Sequence, residues 1–465
     1  MVLLGGWLKT NYPYIMKNSP SAPSGSDSGG VNFGSSIPFY YGWIVVAIAF
    51  ITMGIGVNAR TSFSLLFPPI LDEFGWSRGT ISATFSIGFI VSTMITPFIG
   101  AMMDRVGPRV IVPFGCILTS LGLIGAAFSA EPWHFFVTLG VCVVGGSVFM
   151  SYFGHTLFLP NWFDRRRGLA VGLAFAGAGV GAMLLLPWMQ YAIQTHGWRY
   201  ACFVIATIII FFLIPLNALF QRHRPSDLGL EIDGGAISDK STTETRRDEL
   251  ERRVVNKDWV NTQWTLRKAI FTAQFWWLVI AFGFALYAWY AVQVHQTRYL
   301  IDIGISPHIA AFALGLVGLT GIFGQIFVGA LSDRIGRELA WTFSLCGFLL
   351  TYACLFLLRI YPSEWLIYVM AGLQGFIGYG LASVFGSVPA ELFSGKNYGK
   401  IFGLMGAISY SGAAAGPWIT GILFDASDNY EAAFITAMVV CFVSILAMWM
   451  VGPRKIILVA GRSRV

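Results

Sequence analysis

The chain has 465 residues, of which 56% are hydrophobic and 11% charged, against roughly 25% charged in an average soluble domain. With a mean hydropathy of +0.68, this is the composition of a polytopic membrane protein, not of several soluble domains. The formal net charge of +7 could suggest nucleic acid, but its distribution over the loops, counted below, says otherwise.

Residues 1–38 include NSPSAPSGSDSGG, a stretch too poor in apolar groups to order itself, and are expected to form a disordered cytoplasmic tail. The opening MVLLGGWLKT has too short an apolar core for a cleaved leader, and no small-residue cleavage site follows it. Twelve apolar segments come next, at 41–67, 79–102, 109–130, 133–159, 167–192, 198–220, 273–297, 307–331, 339–359, 363–390, 399–424 and 430–452. Each is long enough for the ~20 residues that cross a bilayer. They form a first bundle at 39–220 and a second at 271–453, with a tail at 454–465. Between the bundles, residues 221–270 hold ten Lys/Arg and nine Asp/Glu, which reads as a solvated cytoplasmic linker with a short surface helix around 244–255.

With both termini inside, the cytoplasmic segments hold 25 of the 30 Lys/Arg. Only Arg78, Arg199, Arg298 and Arg359 fall in outer loops, and Arg60 lies within a span. This bias sets the expected orientation, with both termini cytoplasmic in an inner (plasma) membrane, and explains the basic charge without nucleic acid. The six cysteines, Cys116, Cys142, Cys202, Cys346, Cys354 and Cys441, sit inside apolar runs without C-x-x-C spacing. They read as small core residues, and no metal or other cofactor is expected.

The two bundles repeat each other. GAMMDRVGPR at 100–109 returns as GALSDRIGR at 329–337, Phe163 with Gly168 and Gly172 parallels Phe393 with Gly399 and Gly403, and GWRYACF at 197–203 parallels NYEAAF at 429–434. Each charged turn joins two apolar runs, its later Gly107 or Gly336 suiting a helix end. Asp104 and Asp333 are suited to a helix N-terminus, and Arg105, Arg109, Arg334 and Arg337 to anionic head groups or those carboxylates. The doubled turn resembles the signature between the second and third helices of each half in the major facilitator superfamily. That resemblance implies an all-α fold of twelve transmembrane helices in two pseudo-symmetric six-helix bundles, a monomer that moves a small molecule by alternating access. It also implies that Asp104 docks near Gly399 and Asp333 near Gly168, close to Arg165, Arg166 and Arg167, as gates on the cytoplasmic side.

YYGWIVVAIAF at the first span, FGWSR in the first outer loop and WFDRRRGLAVG before the fifth span resemble the bacterial branch of the monocarboxylate and oxalate/formate transporters. Over about 39–452, the resemblance implies a carrier of small organic anions, a monocarboxylate foremost, coupled to protons or working by exchange. In that family an arginine of the eighth helix pairs with the anion. Here GLTGIFGQIFVGALSDR puts Gln325 at that place and Gly321 where some members carry an acid, so either the cargo differs or the cation comes from elsewhere.

Arg60, in GVNARTSFS, is the one Lys or Arg placed well inside a span. A charge at mid-helix costs about 2.5–3.5 kcal/mol on insertion scales, so it is expected to face a cavity, where it would bind the anion. Counted from Trp43, it lies ~25 Å along the helix, in the outer half, from which it could also snorkel to the interface. Asn58 is a weaker neighbour on another face. Tyr152, Tyr287, Tyr290, Tyr379, Tyr410 and Ser411 place hydroxyls at mid-span, where some would surround the cargo and others only pack. His155 and His295 are the proton-coupling candidates, since a histidine exchanges protons near neutrality; each also suits a buried hydrogen-bonding role. No Asp or Glu falls at mid-span, and no triad or paired carboxylate suggests an enzyme. A carrier or exporter of neutral or cationic solutes, and a transport-dead membrane sensor reporting through the linker, remain alternatives.

Overall fold

The computed structural model describes residues 39–76, 78–233 and 251–462, without the side chains of 78–82, 86, 307, 308 and 311. Its long helices are α1 Gly42–Phe74, α2 Arg78–Val106, α3 Pro108–Ala127, α4 Pro132–Asn161, α5 Arg167–His196 and α6 Trp198–Phe220. After the linker come α7 Ala273–Asp302, α8 Pro307–Ile335, α9 Arg337–Ile360, α10 Glu364–Leu392, α11 Tyr398–Ser427 and α12 Glu431–Val451. Among the described residues, eleven helices are long and apolar enough to cross a membrane. The remaining one, α11, has spanning length at 30 residues, but its glycine, serine and alanine runs dilute its hydropathy. The expected tail at 1–38 and most of the surface helix expected at 244–255 lie outside the described residues.

α1 runs seven residues past the expected end at 67, for 33 residues in all. Arg60 is its nineteenth residue, ~27 Å from its start, in the last turn before an interruption at Ser62 divides α1 into Gly42–Thr61 and Phe63–Phe74. Both α4 and α10 lose regular geometry at matching depths. α4 widens to π-type turns over Phe136–Gly145, tightens to 3-10 turns over Gly146–Met150 and breaks at the extended Ser151. α10 does the same over Leu373–Ile377 and Gly378–Gly380 without the break. Such wide turns are common near functional sites.

The helices approach one another through glycine, as membrane helices do when no hydrophobic drive acts between them. Within the first half, α1 lies on α5 so closely that a Cβ at Gly181 would stand 2.0 Å from the Gly54 carbonyl. The same device joins α7 to α11, where a Cβ at Gly412 would meet the Gly283 carbonyl at 1.9 Å.

One face of the bundle carries the start of α1, both linker ends and the C-terminal segment. There Tyr41 donates to the Phe220 carbonyl at 2.7 Å, and Asn397 donates to the Trp264 carbonyl at 3.2 Å. Toward this terminal face the two halves touch through α5 against α8 and α2 against α11. A Cβ at Gly168 would be 2.3 Å from the Gly329 carbonyl, one at Gly100 only 1.9 Å from the Gly399 carbonyl, and one at Gly172 2.2 Å from that of Gln325. Toward the opposite face the contact ends. A Cβ at Gly315 or Gly421 would meet nothing within 4 Å, and Ile90, Leu184 and Trp418 are exposed. The structure is closed on the terminal face and open on the far one.

A side chain at the seam must hold the halves apart. Gly329→Val should leave the fold intact but stop the terminal face from closing. Maleimide labelling of Ser383→Cys, a seam position that is fully buried here, should rise at least threefold in that background, read on the labelled peptide.

Candidate functional site

The open side leads to a cluster of hydroxyls from four helices around one arginine. Arg60 of α1 is half-buried. Its guanidinium lies over the Phe89 ring at 5.4 Å, and no described residue gives it an ion pair or a hydrogen bond. Its charge acts on the hydroxyls of Tyr152 on α4 and Tyr410 on α11. Tyr290 on α7 lies within electrostatic reach of Tyr152, Tyr410 and Tyr379 on α10, and Tyr379 within reach of Tyr152. Among the described residues, no carboxylate is within electrostatic reach of Tyr152, Tyr379 or Tyr410. Both halves therefore contribute, and the break at Ser151 directly precedes Tyr152. An unpaired cation within a span, with the hydroxyls of Tyr152 and Tyr410 in reach, can pair with one negative charge while those hydroxyls bond to its lone pairs.

The other expected residues are not seen to join this cluster. Asn58 is buried, and its amide donates to the carbonyls of Gly54 at 2.8 Å and Ala178 at 2.9 Å, which ties α1 to α5. Tyr287 is 5% exposed and packs in the second half near Tyr352 and Thr420, away from the cluster. Ser411 is exposed on the stripe of Trp418 and Ile422, and its hydroxyl bonds back to the Ile408 carbonyl at 2.6 Å. His295 meets the Pro417 carbonyl through Nε2 at 3.0 Å and the Tyr430 hydroxyl through Nδ1 at 3.4 Å, so both ring nitrogens serve the packing of α7 against α11 and α12. His155 is fully buried near the terminal end of α4. Its Nδ1 donates to the Ser151 carbonyl at 3.0 Å, and its Nε2 has no protein partner. Gln325 is 3% exposed where α5, α8 and α10 converge, and its amide oxygen lacks a protein donor.

The terminal face carries a second constellation. Asp104 accepts from the backbone N–H groups of Gly399 at 2.9 Å and Lys400 at 3.1 Å. Asp333 accepts from those of Gly168 at 2.9 Å and Leu169 at 3.0 Å. The helix starts they meet, in α11 and α5, have no side-chain cap of their own. Each half thus caps a helix of the other. The cation beside Asp333 is Arg337, at 2.9 Å, and not Arg165, Arg166 or Arg167. Arg337 is 1% exposed and also bonds Glu391 and Ser332, while Arg167 reaches Glu391 at 3.4 Å. Its repeat mate differs. Arg109 is exposed and donates to the Ala218 carbonyl at 2.5 Å, and the position matching Glu391 is Asn161, which offers no negative charge. Arg105, Arg166 and Arg334 are also exposed, while the backbone N–H of exposed Arg165 donates to the Asp233 carboxylate. Glu391 went unnoticed in the sequence because the expected span ended at 390; its place one residue inside a helix end facing the charged turn was the available signal.

The Major Facilitator Superfamily model matches residues 42–384 and 299–458. The chain is 28% identical to monocarboxylate transporter 13 of Bos taurus over 404 residues, covering 85% of this chain and 86% of the relative. It is 26% identical to monocarboxylate transporter 11 of Homo sapiens over 449 residues, covering 93% and 85%. Among solved structures it is similar to the xylose:proton symporter XylE, with a TM-score of 0.66 at 13% identity over 90% of this chain and 96% of that one. It is also similar to the fucose:proton symporter FucP of E. coli, with a TM-score of 0.61 at 15% identity over 88% and 98%. Both likenesses are of fold. With its spanning helices paired in two glycine-knit halves that meet at two reciprocal aspartate caps, the chain belongs to the Major Facilitator Superfamily of membrane transporters.

Proposed function

We propose that this transporter carries a small monocarboxylate by alternating access, with its termini in the cytoplasm. The observation that carries the reading is the unpaired Arg60 guanidinium among the hydroxyls of Tyr152, Tyr290, Tyr379 and Tyr410. A charge within a span with no protein partner is tolerated where water or an anion meets it. The names of the relatives, monocarboxylate transporters, agree with such a cargo. In this reading Arg60 takes the carboxylate, the tyrosines orient it, and Gln325 accepts a hydrogen bond from the cargo or its water. The cluster holds no carboxylate for a proton relay, and His295 is committed to packing, so exchange or cotransport of the anion with its own counter-ion fits the site better than a histidine relay. A second reading, a carrier of neutral solutes, draws on the four hydroxyls and the uncharged Gln325, and it makes Arg60 dispensable.

Asp104 and Asp333 serve as the gate in this cycle, holding the terminal face shut while the far face is open. The cargo is released inward once the four backbone N–H groups leave the carboxylates.

A charge-assisted hydrogen bond contributes about 1.5–3 kcal/mol, so Arg60→Gln should raise the KM for propionate uptake into proteoliposomes roughly 10- to 100-fold. Uptake by that variant at unchanged KM would remove the anion reading and favour the neutral one. Asp333→Asn should instead lower the maximal rate with KM within twofold, with the protein inserted at normal levels; a wild-type rate would show that Asp333 is no gate.

A further inference from the structure

We infer that Gly321 and Trp289 are positioning residues that hold Tyr379 against the cargo, and that the cargo is a monoanion with a flat body. The inference rests on reading the tyrosine cluster as the cargo site. α10 reaches Tyr379 through its distorted stretch, where it lies on α8 with almost nothing between the backbones. A Cβ at Gly324 would stand 2.3 Å from the Phe376 carbonyl, and one at Gly375 would stand 2.4 Å from that of Val317. At Gly321 a Cβ would meet the Tyr379 ring at 2.8 Å, so any side chain there displaces that ring. The ring also stacks on Trp289, with centroids 4.3 Å apart and planes 22° from parallel. Trp289 is pinned in turn, its indole N–H donating to Gln293 at 3.0 Å and its ring backed by Phe348 at 5.7 Å. Tyr379 is therefore gripped from two helices, and its hydroxyl stays within electrostatic reach of Tyr152 and Tyr290, of which Tyr152 also lies within reach of Arg60.

The chemistry on the two sides of the cavity is unequal. Arg60 supplies a single positive charge, which suits one carboxylate and leaves a second unneutralised. The second half supplies the stacked rings of Trp289 and Tyr379 and one hydroxyl, a surface that favours a flat apolar body over a hydrated chain. An ammonium group would find no carboxylate acting there, which disfavours amino acids.

The test compares benzoate and propionate in proteoliposomes. Gly321→Ala should raise the KM for benzoate at least fivefold while the maximal rate stays within twofold, and Trp289→Phe should act in the same direction. In a Tyr379→Leu background, which removes the ring, Gly321→Ala should have no further effect. Equal effects of Gly321→Ala in both backgrounds, or a change confined to maximal rate, would overturn the positioning role. A wild-type protein that takes propionate but neither binds nor carries benzoate would overturn the flat-body assignment. Arg60→Gln and Tyr152→Phe serve as controls for the site itself. If they raise KM and Gly321→Ala does not, positioning alone fails; if none of them does, the cluster is not the cargo site.

On different residues, the geometry points to a clasp between the linker and the C-terminal segment that stabilises closure of the terminal face. Arg253, 5% exposed near the end of the linker, pairs with both carboxylate oxygens of Asp164 in the α4–α5 loop of the first half. The same guanidinium donates to the Leu458 carbonyl at 2.7 Å. Leu458 N–H returns a bond to the Arg253 carbonyl at 2.8 Å, and Val254 bridges Ile457. The C-terminal segment is itself fixed to the second half, where Arg454 N–H donates to Glu338 at 2.9 Å and a Cβ at Gly461 would stand 2.7 Å from Arg334 Cα. Asp164 also reaches Arg167 at 3.8 Å, so Arg253 extends the chain of charges that runs through Glu391 and Arg337 to Asp333.

Spin labels at Leu219→Cys and Met450→Cys, both exposed near the terminal ends of α6 and α12, with Cys346→Ser, report the opening of that face. Arg253→Ala should at least double the long-distance population, and removal of residues 456–465 should do the same without adding to it. Arg253→Lys, which keeps charge but cannot span both partners, should fall between. Additive effects of the two changes, or an unchanged distance distribution in either variant, would overturn the clasp.

Discussion

The structure depends on main-chain contact across the seam between its halves. Two helices, α5 and α11, begin without local caps, and their first free N–H groups are satisfied by Asp333 and Asp104 from the opposite half. A carboxylate reaches a helix start in this way only if the two backbones come very close, which Gly168, Gly329, Gly100 and Gly399 allow. Capping and close approach are thus one interaction. When the halves separate, four N–H groups lose their acceptors together and must find water, and of the two carboxylates Asp333 keeps only Arg337 of its own half, so the closed state is held by groups that become costly to strand as soon as it begins to open. That coupling suits a switch with two positions better than a graded hinge.

The two copies of this interaction are unequal, for a reason visible in single residues. On the Asp333 side, Arg337 is fully buried among Asp333, Glu391 and Ser332. On the Asp104 side, the residue at the place of Glu391 is Asn161, and Arg109 turns outward. A buried arginine needs carboxylates around it, since desolvation of an unpaired charge outweighs what packing returns. The first half offers no such acid, and Pro108 sets Arg109 one residue further from its turn glycine than Arg337 is from Gly336. Pseudo-symmetry survives in the backbone while the electrostatics have diverged.

Much of this fold was legible in the sequence because its determinants are local or repeated. Spanning length, charge bias in loops and a charged turn present twice need no knowledge of which helices touch. The glycine at each turn was readable too, as Gly107 and Gly336 hold φ of 74° and 100°, which side chains rarely adopt. The cavity was legible in part. Mid-span depth selected Arg60 and the tyrosines, but depth alone does not say which way a side chain points around its helix. Tyr287 and Tyr290 differ by less than one turn, yet one packs beside Tyr352 and the other meets the cluster. Asn58 and His295 are polar groups at helix contacts, and their partners are backbone carbonyls with no sequence signature. Arg253 was hidden for another reason: in a linker of mixed charge nothing marks it as an arginine that is buried.

Charge placement distinguishes the two constellations physically. On the terminal face, Arg167 and Arg337 alternate with Glu391 and Asp333, so that these charges are neutralised within the protein and the arrangement is stable while closed. In the cavity the arrangement is incomplete: Arg60 has an aromatic ring and hydroxyls near it, but no negative partner. Such a charge is tolerable while water from the far side can reach it, and becomes expensive if the cavity closes empty. A bound anion removes that expense. The same unpaired cation that attracts the cargo would then also resist closure without it, so that recognition and the conformational cycle share one residue.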